Sequence, residues 1–148
     1  MSDQERGEAG SGRFAARYYR APDGAEPVND FIEKQKAAVQ LAIDRKIELL
    51  NMLDEKHPHL AFPHSSQVEG EMRELRCHYG RTLYRILYRR RGTVHVLLHV
   101  FEKRSDTIPE ADKKIARERW RDFEKRMSVS ARKAANPLGK RAPGARRS

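Results

Sequence analysis

The sequence predicts an α+β domain around one core: an N-terminal strand, two helices, a three-stranded antiparallel meander and a C-terminal helix. Three observations carry this. Apolar residues recur at helical spacing between Val28 and Leu53 and again between Ala116 and Met127. Between these stretches the period shortens to strand-like alternation in three runs, EMRELRCHY, RTLYRILYRRR and TVHVLLHVF, joined at Gly80 and Gly92. With 148 residues, the chain suits one domain with ragged ends better than two that each own a core.

The elements follow in order. Residues 1–12 are polar, Gly-rich and free of aromatics, so nothing offsets the entropy of ordering them, and disorder is expected. Phe14 to Tyr19 fits a short strand, because two tyrosines and a phenylalanine suit a half-buried pleated surface. Pro22, Asp23 and Gly24 make a turn, and Pro27 opens a helix with Val28, Phe31, Ile32 and Gln35 on one side. A second helix carries Val39, Ile43, Ile47, Leu50 and Leu53 and ends before Pro58; where the first one breaks is not visible.

A loop then runs through His57, His59, His64 and Gly70 to the meander. In its second strand Tyr84, Ile86 and Tyr88 belong to the core face, opposite Leu83, Arg85, Leu87 and Arg89. In the third, Val94, Val96, Leu98 and Val100 share a face opposite His95, Leu97, His99 and Phe101. In the first, Leu75 and Cys77 point inward, with Met72, Glu74, Arg76 and His78 opposite. Pro109 precedes the last helix, which packs Ala116, Trp120, Phe123 and Met127. The domain is thus expected over residues 13–127, with residues 128–148 a basic, disordered tail.

Charge narrows the function. The formal charge is +10, and residues 71–104 alone hold nine Lys or Arg against three Glu. An anionic partner is the default, nucleic acid first. Cys77 is the only cysteine, so an intramolecular disulfide is excluded and a reducing, cytoplasmic compartment is expected. No apolar run is long enough for a bilayer span, and no membrane partner is expected.

No phosphate-binding Gly loop, HExxH or nucleophile elbow is present. The loop histidines His57, His59 and His64 lack a fourth ligand at metal spacing, so neither metal nor other cofactor is expected. What remains is a sheet face bearing Arg76, Arg85 and His99, with Lys103 and Arg104 just past the last strand. RNA can be cut without a metal when its 2′-hydroxyl attacks the adjacent phosphorus, given cations to stabilise the phosphoryl oxygens and a group to move protons. Arginine supplies a planar donor pair for that charge, and His99 titrates in the right range. Arg73, Arg81, Arg89, Arg90 and Arg91 are the candidate RNA-binding residues around it. Tyr84 and Tyr88 could stack bases, but their alternation with Ile86 assigns them to the core.

RELR, then YRILY, then LLHVFEKR, then a Pro-initiated helix resembles the RelE/ParE superfamily, specifically its HigB-like, phage-derived branch. The resemblance spans residues 14–127 in element order, with its motifs between residues 72 and 123. It implies a RelE-like fold and a type II toxin: a ribosome-dependent mRNA endoribonuclease that inhibits translation and is neutralised by a helix-turn-helix antitoxin; this chain is expected to be a monomer when free and a heteromer with the antitoxin. The resemblance places Arg76, Arg85 and Arg104, with Lys103 beside it, on the family's basic active-site positions. Three features depart from the pattern: Glu74 replaces a lysine, Ile108 separates Thr107 from Pro109, and no tyrosine follows Tyr88. His99 is the substitute for proton transfer. A ParE-like DNA gyrase inhibitor and a noncatalytic RNA-binding protein are the alternatives.

Overall fold

In the computed structural model of the chain, which describes residues 13–128 and 135–146, six strands form one mixed sheet with helices packed on both faces. The elements are β1 (Ala15–Tyr19), α1 (Pro27–Glu33), α2 (Ala37–Leu50), β2 (Ser65–Glu69), β3 (Met72–Tyr79), β4 (Thr82–Arg91), β5 (Val94–Glu102), α3 (Glu110–Ser128) and β6 (Leu138–Ala142). The sheet order is β2-β3-β4-β5-β1-β6. Only β1 and β5 run parallel; every other neighbouring pair is antiparallel. The expected α+β architecture, with its strand, helix pair, meander and last helix, is therefore present, and two further strands are added at the sheet edges.

The meander forms because alternation and turn chemistry agree. Gly80 and Gly92 open the two-residue connections at φ +58° and +59°, where the primed hairpin turns need a residue without a Cβ. On one sheet face Leu75, Cys77, Tyr84, Ile86, Tyr88 and Leu97 pack with Ile32, Ile43 and Ile47 of α1 and α2. Between those helices the side chain of Gln40 donates to the carbonyls of Ile32 and Glu33, closing the end of α1 where the pattern showed no break.

The opposite face, which carries Arg76, Arg85 and His99, is not open. Met72, Leu87, Val96, Leu98 and Phe101 bury against Ala116, Trp120 and Phe123 of α3. The predicted run Val94, Val96, Leu98, Val100 is also corrected. Between the pairs Leu87↔His99 and Tyr88↔Leu97 the register slips, so Leu98 is an extra residue. Beyond this bulge the phase inverts: Val100 joins the α1–α2 core, while His99 and Phe101 lie on the α3 side. Met127 is 38% exposed, and Arg126 takes the buried place instead, donating to Asp122 and to the carbonyls of Arg20 and Ala135.

The basic tail is corrected over residues 135–146, while residues 129–134 and 147–148 lie outside the described residues. Ser128 ends α3, and β6 pairs with β1 through Ala142↔Ala16 and Leu138↔Tyr19. Polar anchors explain why so unpromising a sequence orders. Asn51 donates to the Ala142 carbonyl, Lys140 N–H donates to Glu26, and Gly144 N–H donates to the Tyr18 hydroxyl. Arg146 then pairs with Asp44 at 2.8 Å. The domain accordingly runs on to Arg146. The expected N-terminal disorder at residues 1–12 lies outside the described residues.

Candidate active site

Register brings two of the predicted arginines together. Arg76 of β3 lies directly opposite Arg85 of β4, and Arg85 lies opposite Phe101 of β5. Like charges on adjacent strands repel unless something stands between them. Glu74 does so. Its Oε1 is 3.2 Å from Arg85 Nε and its Oε2 is 3.5 Å from Arg76 Nη1, while Ser66 Oγ donates to Oε2 at 2.7 Å. Glu74 is 7% exposed and Arg85 3%. Glu74 is thus the hub of a buried ion cluster, which would otherwise carry two uncompensated charges.

The remaining groups lie at the same end of the sheet. Lys103 follows β5, its backbone N–H donating to the Leu83 carbonyl and its ammonium 3.0 Å from the exposed Asp106 carboxylate. Arg85 Nη2 reaches the Asp106 carbonyl at 3.4 Å, so the 103–106 loop lies over the buried arginine. The Lys103 ammonium and the Arg85 guanidinium hold the Asp106 carboxyl below the usual range, Lys103 dominating. Arg104 is exposed and makes no ion pair among the described residues. Phe62, 70% exposed, lies under the Arg76 guanidinium at 5.4 Å.

His99 occupies the neighbouring row of the same face, opposite Leu87, which is itself opposite Glu74. Its Nε2 donates to Asp112 Oδ1 of α3 at 2.7 Å, and its ring stacks on Phe101 at 5.6 Å. That partner leaves Nδ1 as the acceptor of the neutral ring. Burial lowers the His99 pKa, with the Arg119 guanidinium adding to it and Asp112 opposing.

The predicted RNA-binding arginines divide. Arg81 stands at the β3–β4 turn, and Arg91 at the far hairpin. Arg89 shares the α3 face and lies 4.7 Å from the Trp120 ring centroid. Arg73 and Arg90 are on the other face: Arg73 is opposite Tyr88 and donates to the Leu60 carbonyl and Ser65 Oγ, and Arg90 lies over Phe14. They do not belong to the Arg76–Arg85 site. His57, His59 and His64 have separate surroundings, His57 near Asp54 and His64 accepting from Lys46.

Residues 30–121 match the family model of the phage-derived Gp49-like proteins (DUF891). The chain belongs to this family. Gp49-like proteins are associated with the toxins of toxin–antitoxin systems, endoribonucleases among them, and the association implies an antitoxin partner. No curated protein matches the chain. In this Gp49-like chain the matched segment holds α2, the meander and most of α3, and with them all five predicted catalytic residues. The sequence reading did not assign Phe62, Glu74, Asp106 or Asp112 to the site. Of these only Glu74 carried a signal, as the acid in a basic strand.

Proposed function

We propose that this Gp49-like protein is a RelE/HigB-type toxin that inhibits translation by cutting mRNA on the ribosome, in the cytoplasm, and that a helix-turn-helix antitoxin holds it inactive. The observation that carries this reading is the convergence of Arg76 and Arg85 on Glu74 at the strand ends that also present Lys103 and Arg104. The exposed Phe62 ring beside Arg76 adds a stacking surface for a base.

In the proposed reaction the 2′-oxygen of one nucleotide attacks its own 3′-phosphorus and the bond to the next 5′-oxygen breaks, leaving a 2′,3′-cyclic phosphate and a 5′-hydroxyl. Arg76, Lys103 and Arg104 hold the phosphoryl oxygens as their charge grows. Arg85, almost wholly buried, is a positioning residue that fixes Glu74 and through it Arg76. His99, neutral near pH 7, takes the 2′-hydroxyl proton at Nδ1, and the 5′-oxygen leaves with a proton from the imidazolium or from water.

The test is primer extension on a reporter mRNA in a cell-free translation reaction, comparing the protein with its Arg76→Ala/Arg104→Ala variant. In-frame cuts that vanish in the variant are expected. Translation arrest without cuts, or cuts indifferent to the substitutions, would overturn the mechanism; arrest of supercoiling instead would select gyrase inhibition.

A further inference from the structure

On the sheet face opposite the Arg76–Arg85 cluster, at the far end of the meander, a cleft of about 460 Å³ is lined by His59, Glu71, Arg73, Tyr88, Arg90 and His95. Its composition is unbalanced. Arg73 and Arg90 make no ion pair among the described residues; their hydrogen bonds go to the carbonyls of Leu60 and Gly92 and to Ser65 Oγ. Glu71 is strongly exposed and its carboxylate lies 4.0 Å from Arg89, the arginine on the other face. His95 is 1% exposed, opposite Arg90 in register, and neither of its ring nitrogens has a hydrogen-bond partner among the described residues.

A buried polar ring left without partners, beside two guanidiniums left without counterions, is an arrangement that a bound anion would complete. The repulsion is felt locally: Arg73 and Arg90, after burial itself, lower the pKa of His59, and the same groups act on His95. Arg73 and Arg90 sit diagonally on adjacent strands, about 7–8 Å apart at their bases, a span suited to gripping one tetrahedral group from two sides. The cleft is far larger than a chloride or a carboxylate requires. Tyr88 and His95 have almost no exposed ring face, so the site offers charge rather than stacking.

We infer that this cleft is a second anion site, which takes the phosphate group of a nucleotide or of a nucleic-acid strand between Arg73 and Arg90. The inference does not rest on the nuclease reading. The test is NMR of the full-length protein carrying ¹³C-labelled histidine, titrated in parallel with inorganic phosphate, a nucleoside 5′-monophosphate and a short single-stranded RNA bearing a 5′-hydroxyl. Shifts of the His59 and His95 signals are expected, with affinity falling about tenfold in Arg90→Gln and in Arg73→Gln and unchanged in Arg45→Ala, at an exposed arginine of α2 outside both sites. Response to the first two ligands alone identifies a free or terminal phosphate; response to the RNA as well identifies a strand. Absence of any shift in the wild-type protein, or shifts that survive both arginine substitutions, overturns the inference. Loss of cleavage in Arg104→Ala with these shifts retained separates the two sites.

Discussion

Replacing Glu74 by Gln removes the one negative charge between two arginines, and the structure sets the size of the effect. Arg85 is 3% exposed; without Glu74 Oε1 at 3.2 Å, its remaining partner is the Asp106 carbonyl at 3.4 Å. Breaking a buried pair from one side costs about 3–5 kcal/mol. The glutamine amide still accepts from Ser66 Oγ, which places the expected loss near the lower bound, about 3 kcal/mol. Arg85→Met leaves Glu74 with Arg76 and Ser66, so its cost is smaller, about 2 kcal/mol. In the double variant only Arg76, the less buried of the two arginines, is left without its partner, and the combined loss falls short of the sum of the single losses by about 2 kcal/mol. Urea denaturation followed by circular dichroism reads all four corners of this cycle, provided the slope with denaturant is unchanged. Strict additivity, or a Glu74→Gln variant within about 0.5 kcal/mol of wild type, would refute the claim that Glu74 holds the cluster together.

Two further expectations concern other parts of the molecule. Burial first, then Arg90, His59 and Arg73, push the His95 pKa down from 6.5 to about 4, so the unfolded chain binds the proton more readily than the fold. The stability this represents is complete above pH 6.5 and is lost as pH falls towards 4, reaching about 2.5 kcal/mol by pH 4.5. Urea melts of wild type and His95→Phe should diverge by that amount on acidification; parallel curves would contradict it. Arg146→Ala removes the partner of Asp44, whose side chain is 13% exposed, and one donor to the Tyr18 hydroxyl. A loss of about 2 kcal/mol is expected in the same assay, and an unchanged midpoint would show that the C-terminal anchor contributes nothing.

The meander was legible because two independent signals coincided in it, alternation and glycine at the turns. The strands that escaped notice lack such signals for different reasons. Ser65–Glu69 lies at the sheet edge and buries little besides Ser65, so its pattern carries no apolar period. Leu138–Ala142 has no β-branched or aromatic residue, and its order comes from Asn51, Glu26, Tyr18 and Asp44, which are remote in sequence. Within the site, Arg76, Arg85 and His99 were placed on a common face and the fold keeps them there. Their environment was not readable. Charged residues in an alternating strand are ordinarily solvated, and neither the burial of Glu74 and Arg85 nor the cover supplied by α3 follows from local pattern. Arg73 and Arg90 were grouped with the site by proximity in sequence, which a pleated strand does not respect: their side chains leave the opposite surface. The bulge at Leu98 cannot be seen from periodicity either, since one extra residue looks like any other until its partner strand is counted.

The position of β1 between β5 and β6 bears on how the chain reaches this fold. The hairpins β3–β4 and β4–β5 join residues close along the chain and form at small loop-closure cost. By contrast, Ala15 pairs with Val94 and Ala16 with Ala142, closures of long chain segments. Contacts at such separation are slow to form. The meander's own pairings are thus the local ones, and it is β1 that covers the flank of β5 and β6 that covers β1, so loss of either strand would leave an open edge able to accept a foreign β-strand.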